Sequence, residues 1–262
     1  SQMAGRMTGI DVRGAARQVV PPAVGLAVLL GAWSWLAASG LVRPRMLPDP
    51  DRVWQTLQRS IGLLLEQAEP TFWAAVAGIV AAALLGIGLG IAVSFSRRLM
   101  QAIYPTIIFF QLIPKVALAP VFLIWFGHTI VANVIFSVFI AFFPVLVATI
   151  AGMQATPPTY DRLGQSLMMP PLRIFLRVKL IFALPQIFNG LRIGVTFAVI
   201  GVVLGEFITA QTGLGYIILF SANNFETALL LAAILLLCGV GIVLFAFFLA
   251  LEAVVMRLYD SR

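Results

Sequence analysis

Residues 105–127 read PTIIFFQLIPKVALAPVFLIWFG, an apolar stretch of membrane length that carries three prolines and one lysine. Proline removes a backbone hydrogen-bond donor and clashes with the preceding turn, so a helix containing Pro105, Pro114 and Pro120 must be kinked or broken. Neighbouring helices have to support such a break, because lipid offers no hydrogen bonds to the freed backbone groups. The stretch therefore predicts a bundle of membrane helices in which one segment moves or opens.

The composition of the chain supports the same fold class. Of its 262 residues, 61% are hydrophobic and only 10% are charged, and the mean hydropathy is +1.04. Soluble domains contain roughly 45–50% apolar residues. The chain is therefore predicted to be an all-α membrane protein that crosses the bilayer several times. Its single cysteine, Cys238, lies in an apolar run and is expected to be a buried thiol.

Stretches without Lys, Arg, Asp or Glu mark the predicted spans. Runs of 25, 27 and 25 such residues occupy positions 18–42, 70–96 and 227–251, and each exceeds the ~20 residues that cross a hydrocarbon core. Another 45 residues, 116–160, also lack these charges, and the polar sequence Gly127-His128-Thr129 divides that region. We predict six transmembrane helices, at about 18–42, 70–96, 102–126, 130–152, 182–206 and 227–251.

The basic residues predict the orientation of these spans. With the N-terminus inside, eleven Lys and Arg residues lie on the cytoplasmic side and four outside, while Lys115 and Arg192 remain within spans. This excess predicts cytoplasmic tails at 1–18 and 259–262 around a membrane domain at 19–258. The net charge of +7 then reflects topology and attraction to the anionic lipids of the bilayer, and no nucleic-acid partner is predicted.

Two segments lie outside the spans. Residues 49–66 place Asp49 as a helix cap before Pro50 and then repeat apolar residues on one helical face, which predicts an interfacial helix on the outer surface. The predicted cytoplasmic loop, 153–181, contains four prolines and the basic amphipathic run LRIFLRVK. Long ordered loops usually carry function. This run is therefore interpreted either as a helix resting on anionic headgroups or as a docking surface for a cytoplasmic partner.

The sequence predicts no catalytic residue, cofactor site or metal site. A nucleotide-binding phosphate loop requires the pattern G-x-x-x-x-G-K-[ST], which does not occur in the chain. The only histidine, His128, is predicted in an outer turn, away from any cluster with the spacing of metal ligands. ATP hydrolysis is therefore expected only from a separate partner subunit.

Four further patterns stand out in the sequence. They are LPDPDRVWQTL (47–57), QLIPKVALAPVFLIWFG (111–127), FFPVLVATIAGM (142–153) and ALPQIFNGLRIG with GEFITAQTGLGYII (183–194 and 205–218). These stretches resemble the membrane permease subunit of bacterial ATP-binding-cassette (ABC) importers, in the group for nitrate, sulfonate, taurine, thiamine precursors and riboflavin. The resemblance covers about residues 20–258. The lysine of the second stretch is more similar to the branch for pyrimidine precursors and riboflavin than to the sulfonate branch.

The resemblance implies that the cytoplasmic loop carries a short helix that docks in a groove of the ATPase subunit. The family's Glu-Ala-Ala signature falls here on 162–164, which read Arg-Leu-Gly, and its glycine falls on Met168, while Pro170 and Pro171 are extra. The end of the loop matches the family pattern. The residues expected to couple transport to the ATPase are Leu172, Arg173, Phe175, Leu176 and Arg177.

The resemblance further implies a homodimer that encloses a transport pathway on its two-fold axis, driven by an ABC ATPase and supplied by an extracytoplasmic solute-binding protein. A thiamine pyrimidine precursor or a riboflavin-like solute is favoured, with sulfonate, nitrate or an aromatic acid as alternatives. A stand-alone secondary transporter is the alternative function, but it needs intramembrane carboxylates, of which only Glu206 qualifies. The predicted pathway and gate residues are Pro114, Lys115, Pro120, Glu206, Gly213 and Gly215.

The roles of the two intramembrane charges stay open at this level. Glu206 either is wetted by the pathway or accepts hydrogen bonds from backbone amides of the glycine-containing turn that follows it. It lies about 21 Å along the helix from Arg192, so the two do not pair within one chain. Lys115 either faces a water-filled cavity on the dimer axis, where it favours anionic or electron-rich solutes, or bonds to carbonyls freed by Pro114.

Overall fold

The computed structural model describes residues 12–43, 45–209 and 211–260. Of the predicted N-terminal tail at 1–18, positions 1–11 lie outside the described residues, and the rest is helical from Val12 onward. Of the predicted C-terminal tail at 259–262, positions 261–262 also lie outside the described residues. Over the described residues the chain forms eleven α-helices, which are α1 (Val12–Ala38), α2 (Pro50–Arg59), α3 (Ile61–Ser94), α4 (Arg97–Leu112), α5 (Ala119–Phe126), α6 (Ile130–Gln154), α7 (Pro158–Ser166), α8 (Pro171–Ile174), α9 (Leu180–Thr209), α10 (Leu214–Asn223) and α11 (Thr227–Asp260).

Four of the predicted spans are confirmed as long apolar helices. They are α3, α6, the continuous helix Pro171–Ile208 and α11, and a bent pair of helices around α4 and α5 supplies a fifth candidate. In α1 the described apolar part, Val24–Ala38, is shorter than 18 residues. The fold is therefore a helical multi-span membrane protein, while the count of six spans stays a prediction.

The break predicted from the proline-rich stretch is confirmed, and it occurs at one proline only. Helices Arg98–Leu112 and Lys115–Phe126 meet at 83°, and the ψ angles of Ile113 and Pro114 are 128° and 94°. Proline disfavours helical geometry in the residue before it, and at Pro114 that preference prevails because Ile113 is extended. Lys115–Leu118 then forms one turn of 3-10 helix. Pro105 lies inside α4, and Pro120 lies in the first turn of α5, where its missing N–H costs nothing.

The predicted interfacial helix at 49–66 is wrong in its length. The helix α2 ends at Arg59, Ser60 leaves helical geometry with φ −101° and ψ 9°, and residues 61–66 begin the long helix α3. Asp49 does occupy the N-cap position, but its side chain makes no capping hydrogen bond. The Trp33 indole Nε1 donates to the Pro48 carbonyl at 3.0 Å, which ties the end of α1 to the segment before α2.

The centre of the bundle is the three-helix contact of α3, α6 and α9. Small residues allow these helices to approach closely, as is typical of membrane helices. A Cβ atom on Gly201 would lie 2.7 Å from the Ser137 Cα, so α9 crosses α6 with backbone against backbone. The Ser137 hydroxyl donates to the Ala198 carbonyl at 2.9 Å at the same crossing. This tight core fixes the positions of the segments that branch from it.

The predicted cytoplasmic loop at 153–181 is mostly helical. It contains α7 and α8, and a π-helical turn at Phe175–Lys179 joins α8 to α9 without interruption. The amphipathic run LRIFLRVK is therefore the first part of the fifth span's helix rather than a separate loop helix. Short turns around the proline pairs separate α7 from its neighbours.

Candidate functional site

The turn between α9 and α10 is held by three side chains, which we call the amide clamp: Gln67, Thr71 and Glu206. They accept hydrogen bonds from the three successive backbone amides of residues 213–215, at 2.7 Å to Gln67 Oε1, 2.9 Å to Thr71 Oγ1 and 2.8 Å to Glu206 Oε2. The Thr71 hydroxyl also donates to Glu206 Oε1 at 2.7 Å. The first amides of a helix have no partner within it. The clamp supplies those partners to α10.

Glu206 is thus hydrogen-bonded to the backbone of the turn, which is one of the two settings the sequence allowed. The residue is 2% exposed. Gly213 has φ +107°, and Gly215 is so close that a Cβ atom on it would lie 2.8 Å from the Glu206 Cβ. These two glycines let the turn bring its amides to the carboxylate. A negative charge at a helix N-terminus is also favoured by the helix dipole.

Lys115 lies at the break between α4 and α5 and faces aromatic rings. Its Nζ atom is 5.0 Å from the centroid of the Phe143 ring and 5.8 Å from that of Phe197. The ring of Phe110 stacks in turn on the ring of Phe143, with their centroids 5.9 Å apart. The residue is half-buried, and Pro114 beside it is exposed. The geometry is a cation–π cage.

The structure places the predicted pathway residues in two groups. Pro114, Lys115 and Pro120 lie at the helix break, and Glu206 lies with Gly213 and Gly215 in the amide clamp. The groups are linked through α9, because Phe197 contacts Lys115 and lies about 13 Å along the helix from Glu206. One helix therefore touches both groups.

Sequence reasoning missed an ion pair between α9 and α11. The Arg192 Nε donates to Glu252 Oε2 at 2.8 Å, and an Nη of the same guanidinium forms a salt bridge with that oxygen. The two residues lie 60 positions apart in the sequence. The available signal was that Arg192 is the only basic residue inside its predicted span and that Glu252 follows the last uncharged run, so opposite charges were available on two different helices.

The segment from α7 to the π-helical turn presents apolar side chains. The exposed set, which we call the coupling face, consists of Leu163, Leu167, Met168, Leu172 and Leu176. Of the predicted coupling residues, Arg173 and Arg177 are also exposed. Phe175 is different, since it is half-buried and its ring lies 5.2 Å from that of Phe95. Phe175 therefore anchors the segment to α3, while its neighbours face outward.

Two residues at the altered signature positions have clear backbone or packing roles. Met168, where the family pattern has glycine, adopts φ +51°, a left-handed conformation that glycine takes without strain. Gly164, where the pattern has alanine, packs against Ile174, and a Cβ atom there would lie 2.9 Å from the Ile174 side chain. The backbone at position 168 thus adopts a conformation that favours the glycine of the family pattern, whereas at position 164 the packing of Ile174 leaves little room for the alanine of that pattern.

Among the residues that the structure describes, no group of three or more His, Cys, Asp or Glu side chains is arranged to hold a metal ion. The polar chemistry of the described membrane region is concentrated in the amide clamp, the Lys115 cage and the Arg192–Glu252 pair. These arrangements position charges and hold helices. None of them is a nucleophile with an adjacent base.

Comparison with known proteins places these features in a transport context. The family model of the binding-protein-dependent transport system inner membrane component matches residues 76–259. A probable ABC transporter permease protein of Haemophilus influenzae is 32% identical over 87% of this chain and 93% of its own length. The formylaminopyrimidine transport permease protein ThiX of Halalkalibacterium halodurans is 32% identical over 91% of this chain and 96% of its own. The riboflavin transport system permease protein RibX of Chloroflexus aurantiacus is 31% identical over 90% of each.

Proposed function

This chain belongs to the family of inner-membrane components of binding-protein-dependent transport systems, the permeases of ABC transporters, and we propose that two copies of it form the pathway of an importer for a small organic solute. The family match and the long apolar helices make it a multi-pass inner-membrane protein. We further propose that both termini are cytoplasmic, as the distribution of basic residues predicts. An ABC ATPase and an extracytoplasmic solute-binding protein complete the proposed transporter.

The observation that carries the pathway assignment is the helix break at Pro114, with the cation Lys115 next to it. A lysine within an apolar span costs at least about 2.5–3.5 kcal/mol at the bilayer centre unless it has a partner or reaches water. The aromatic cage supplies part of that compensation, since Phe143 and Phe197 lie 5.0 and 5.8 Å from the Nζ atom. We propose that this segment lines the pathway and that Lys115 faces it.

The proposed solute is a thiamine pyrimidine precursor or a riboflavin-like compound. Two relatives named for formylaminopyrimidine and riboflavin transport, ThiX and RibX, match this chain over nine tenths of its length. A cation held between aromatic rings suits a flat, electron-rich solute, because such a ring can stack on phenylalanine and attract the ammonium. Sulfonate, nitrate and aromatic acids are the other candidates.

The solute is tested through the partner binding protein. Purified binding protein is screened by thermal shift against thiamine precursors, riboflavin, sulfonates, nitrate and aromatic acids, and the ligand is then followed into proteoliposomes that contain the complete transporter. We expect stabilisation by a pyrimidine or flavin ligand and uptake that requires ATP. Uptake by the chain alone, without ATPase or binding protein, would instead support a stand-alone secondary transporter.

We propose that the coupling face docks on the ATPase. Exposed apolar side chains at the end of a long helix are suited to an apolar groove, and Leu172 and Leu176, near the start of the continuous helix Pro171–Ile208, are 67% and 48% exposed. Arg173 and Arg177 flank them and are also exposed. Phe175 contributes indirectly in this proposal, because its packing against Phe95 fixes the direction of the segment.

Replacing Leu172 with Asp tests the docking. The chain alone should hydrolyse no ATP, with or without the substitution. In the complex, an unpaired carboxylate buried in the docking groove costs about 2–4 kcal/mol, so the affinity for the ATPase should fall roughly 30- to 700-fold. Co-purification and solute-stimulated ATP hydrolysis measure the effect. Leu172→Met is the matched control and should behave like the unmodified chain. Normal assembly and transport in Leu172→Asp would show that this face does not dock.

A further inference from the structure

The helices α9 and α11 enclose an apolar groove that none of the proposed transport steps uses. Its volume is about 760 Å³, and it is lined by side chains such as Val195, Val199 and Phe245, with Gly241 at its base. Cys238 also lines it and is exposed, so the expectation of a buried thiol is wrong. We call this cleft the α9–α11 groove.

The Arg192–Glu252 ion pair lies beyond one end of the groove, on the two helices that form its walls. Arg192 precedes the lining residue Thr196 by four positions, and Glu252 follows the lining residue Leu249 by three. Residues three or four apart lie on the same helical face. The charged pair therefore continues the two helix faces that form the apolar walls. The side chains of Arg192 and Glu252 are 36% and 16% exposed.

The length of α11 places the ion pair toward the lipid headgroups, nearer the membrane surface than the predicted span at 182–206 placed Arg192. Glu252 is 25 residues from the start of α11 at Thr227, about 37 Å along the helix, whereas a hydrocarbon core is about 30 Å thick. The lining residues on α11 run from Leu237 to Leu249, about 18 Å along the helix, which exceeds the ~15 Å occupied by one leaflet's hydrocarbon. The cleft thus has charge at the membrane surface and apolar walls through one leaflet.

We propose that the α9–α11 groove binds a phospholipid with an amine-bearing headgroup, phosphatidylethanolamine in chemical class. The lipid phosphate lies on Arg192, whose guanidinium has five N–H donors and uses Nε and one Nη on Glu252. The headgroup ammonium lies on the Glu252 carboxylate, and one acyl chain fills the cleft over Gly241. That this is the cytoplasmic leaflet rests on the proposed orientation of the chain; the lipid site itself does not depend on transport.

Two glycines of α11 give a matched test. A Cβ atom on Gly239 or on Gly241 would meet nothing within 4 Å, but only Gly241 lines the groove. Leucine at either position should therefore be tolerated, and only Gly241→Leu should fill the cleft. The full chain, assembled with its ATPase, is exchanged into detergent with added phosphatidylethanolamine or phosphatidylglycerol and analysed by native mass spectrometry. We expect Gly239→Leu to retain phosphatidylethanolamine like the unmodified chain, and Gly241→Leu to retain at least tenfold less.

The headgroup contacts are tested separately. In the double variant Arg192→Gln with Glu252→Gln, neither charge is left unpaired, and the preference for phosphatidylethanolamine over phosphatidylglycerol should disappear. Equal retention of lipid by the Gly239 and Gly241 variants, or an unchanged headgroup preference in the double variant, would overturn the proposal.

The single native cysteine identifies the occupant without any substitution. A benzophenone attached to Cys238 and activated by light should form an adduct with the mass of a phospholipid. A crosslink that doubles the mass of the chain would show instead that the groove contacts a second copy, and the lipid proposal would be wrong. This measurement remains decisive if the Gly241 variant does not assemble.

Discussion

Glu206 and Lys115 are both charges in apolar membrane helices, yet their surroundings are opposite in kind. Glu206 is 2% exposed and is fixed by two hydrogen bonds of defined direction, to the Thr71 hydroxyl and the Gly215 amide. Lys115 is half-buried between the rings of Phe143 and Phe197, at a helix break. Cation–π attraction is broad in direction and is worth about 0.5–2 kcal/mol. The difference separates a fixed charge from one that is free to reorient.

The backbone around each charge shows the same contrast. After Glu206, the three successive backbone amides of residues 213–215, at the start of α10, are all bonded to side chains of the amide clamp. The segment at Lys115 has lost regular helical bonding, with extended residues at Ile113 and Pro114 and a turn of 3-10 helix after them. Short 3-10 segments between helices often mark hinges. We therefore expect the clamp to keep its geometry during transport while the break at Pro114 changes.

The largest effect should come from Glu206→Leu. The substitution leaves the buried Gly215 amide without an acceptor, which costs about 1–3 kcal/mol, and leaves the Thr71 hydroxyl only its 3.3 Å bond to the backbone carbonyl of Gln67, which costs about 1 kcal/mol more. The variant should therefore lose about 2–4 kcal/mol of stability. The thermal unfolding temperature of the purified permease and its recovery in assembled transporter measure this loss. Stability and turnover equal to those of the unmodified chain would remove the clamp from the mechanism.

Glu206→Gln is the control for this variant. Its amide oxygen can accept from the Gly215 amide, and its NH₂ group can donate to Thr71 Oγ1, which also receives the Leu214 amide. A hydroxyl accepts two hydrogen bonds while donating one. The Thr71 hydroxyl then donates only to the backbone carbonyl of Gln67, which lies 3.3 Å away in the structure. We expect this variant to fold and assemble normally.

A pair of glycines, one in the clamp and one outside it, tests the clamp more finely. Gly213 and Gly127 both have positive φ, +107° and +69°, which costs a non-glycine residue about 1–3 kcal/mol. A Cβ atom on Gly127 would meet nothing within 4 Å, whereas on Gly213 it would overlap the Glu206 carboxylate. Gly213→Ala should therefore lose about 2–4 kcal/mol, at least 1 kcal/mol more than Gly127→Ala. Equal unfolding temperatures for the two variants would show that the clamp can shift freely.

The break was predictable from sequence because its cause is local. Proline disfavours a helical geometry for the residue before it through a clash between adjacent residues, and Ile113 follows that preference. The tolerance of Pro105 inside α4 was not predictable, because it depends on surrounding structure. Pattern reasoning also failed at Ser60, where the apolar face of the 49–66 segment continues across the change from α2 to α3.

The clamp was only half predictable for a different reason. Glycines after an intramembrane glutamate allow a turn that offers amides, and this much is local. Thr71 and Gln67 lie 135 and 146 positions from their partners, and no spacing rule connects such distant residues without homologues. The Arg192–Glu252 pair, separated by 60 positions, was missed on the same grounds. Long-range polar contacts depend on tertiary packing, which hydropathy does not encode.

Lys115→Met should have a small effect on stability and a larger one on transport. The substitution removes cation–π attraction worth about 0.5–2 kcal/mol. It also removes the cost of keeping a charge in an apolar span. The net loss of stability should therefore stay below about 1 kcal/mol. Uptake of the solute identified with the binding protein should fall, while basal ATP hydrolysis stays unchanged. A loss of several kcal/mol would show that Lys115 holds the fold together, contrary to the comparison with Glu206.

The smallest perturbation, Lys115→Cys, tests whether the segment moves. It is made in a Cys238→Ala background, so that the new thiol is the only one in the chain. If Lys115 faces a water-filled pathway that opens and closes, a water-soluble maleimide should label the cysteine at different rates in the nucleotide-free and ATP-trapped states. Ser137→Cys is the buried control, since Ser137 is 0% exposed and should not label in either state. Absence of labelling at position 115 in both states, or equal rates in both, would place this residue in static packing and leave the broken helix with a structural role only.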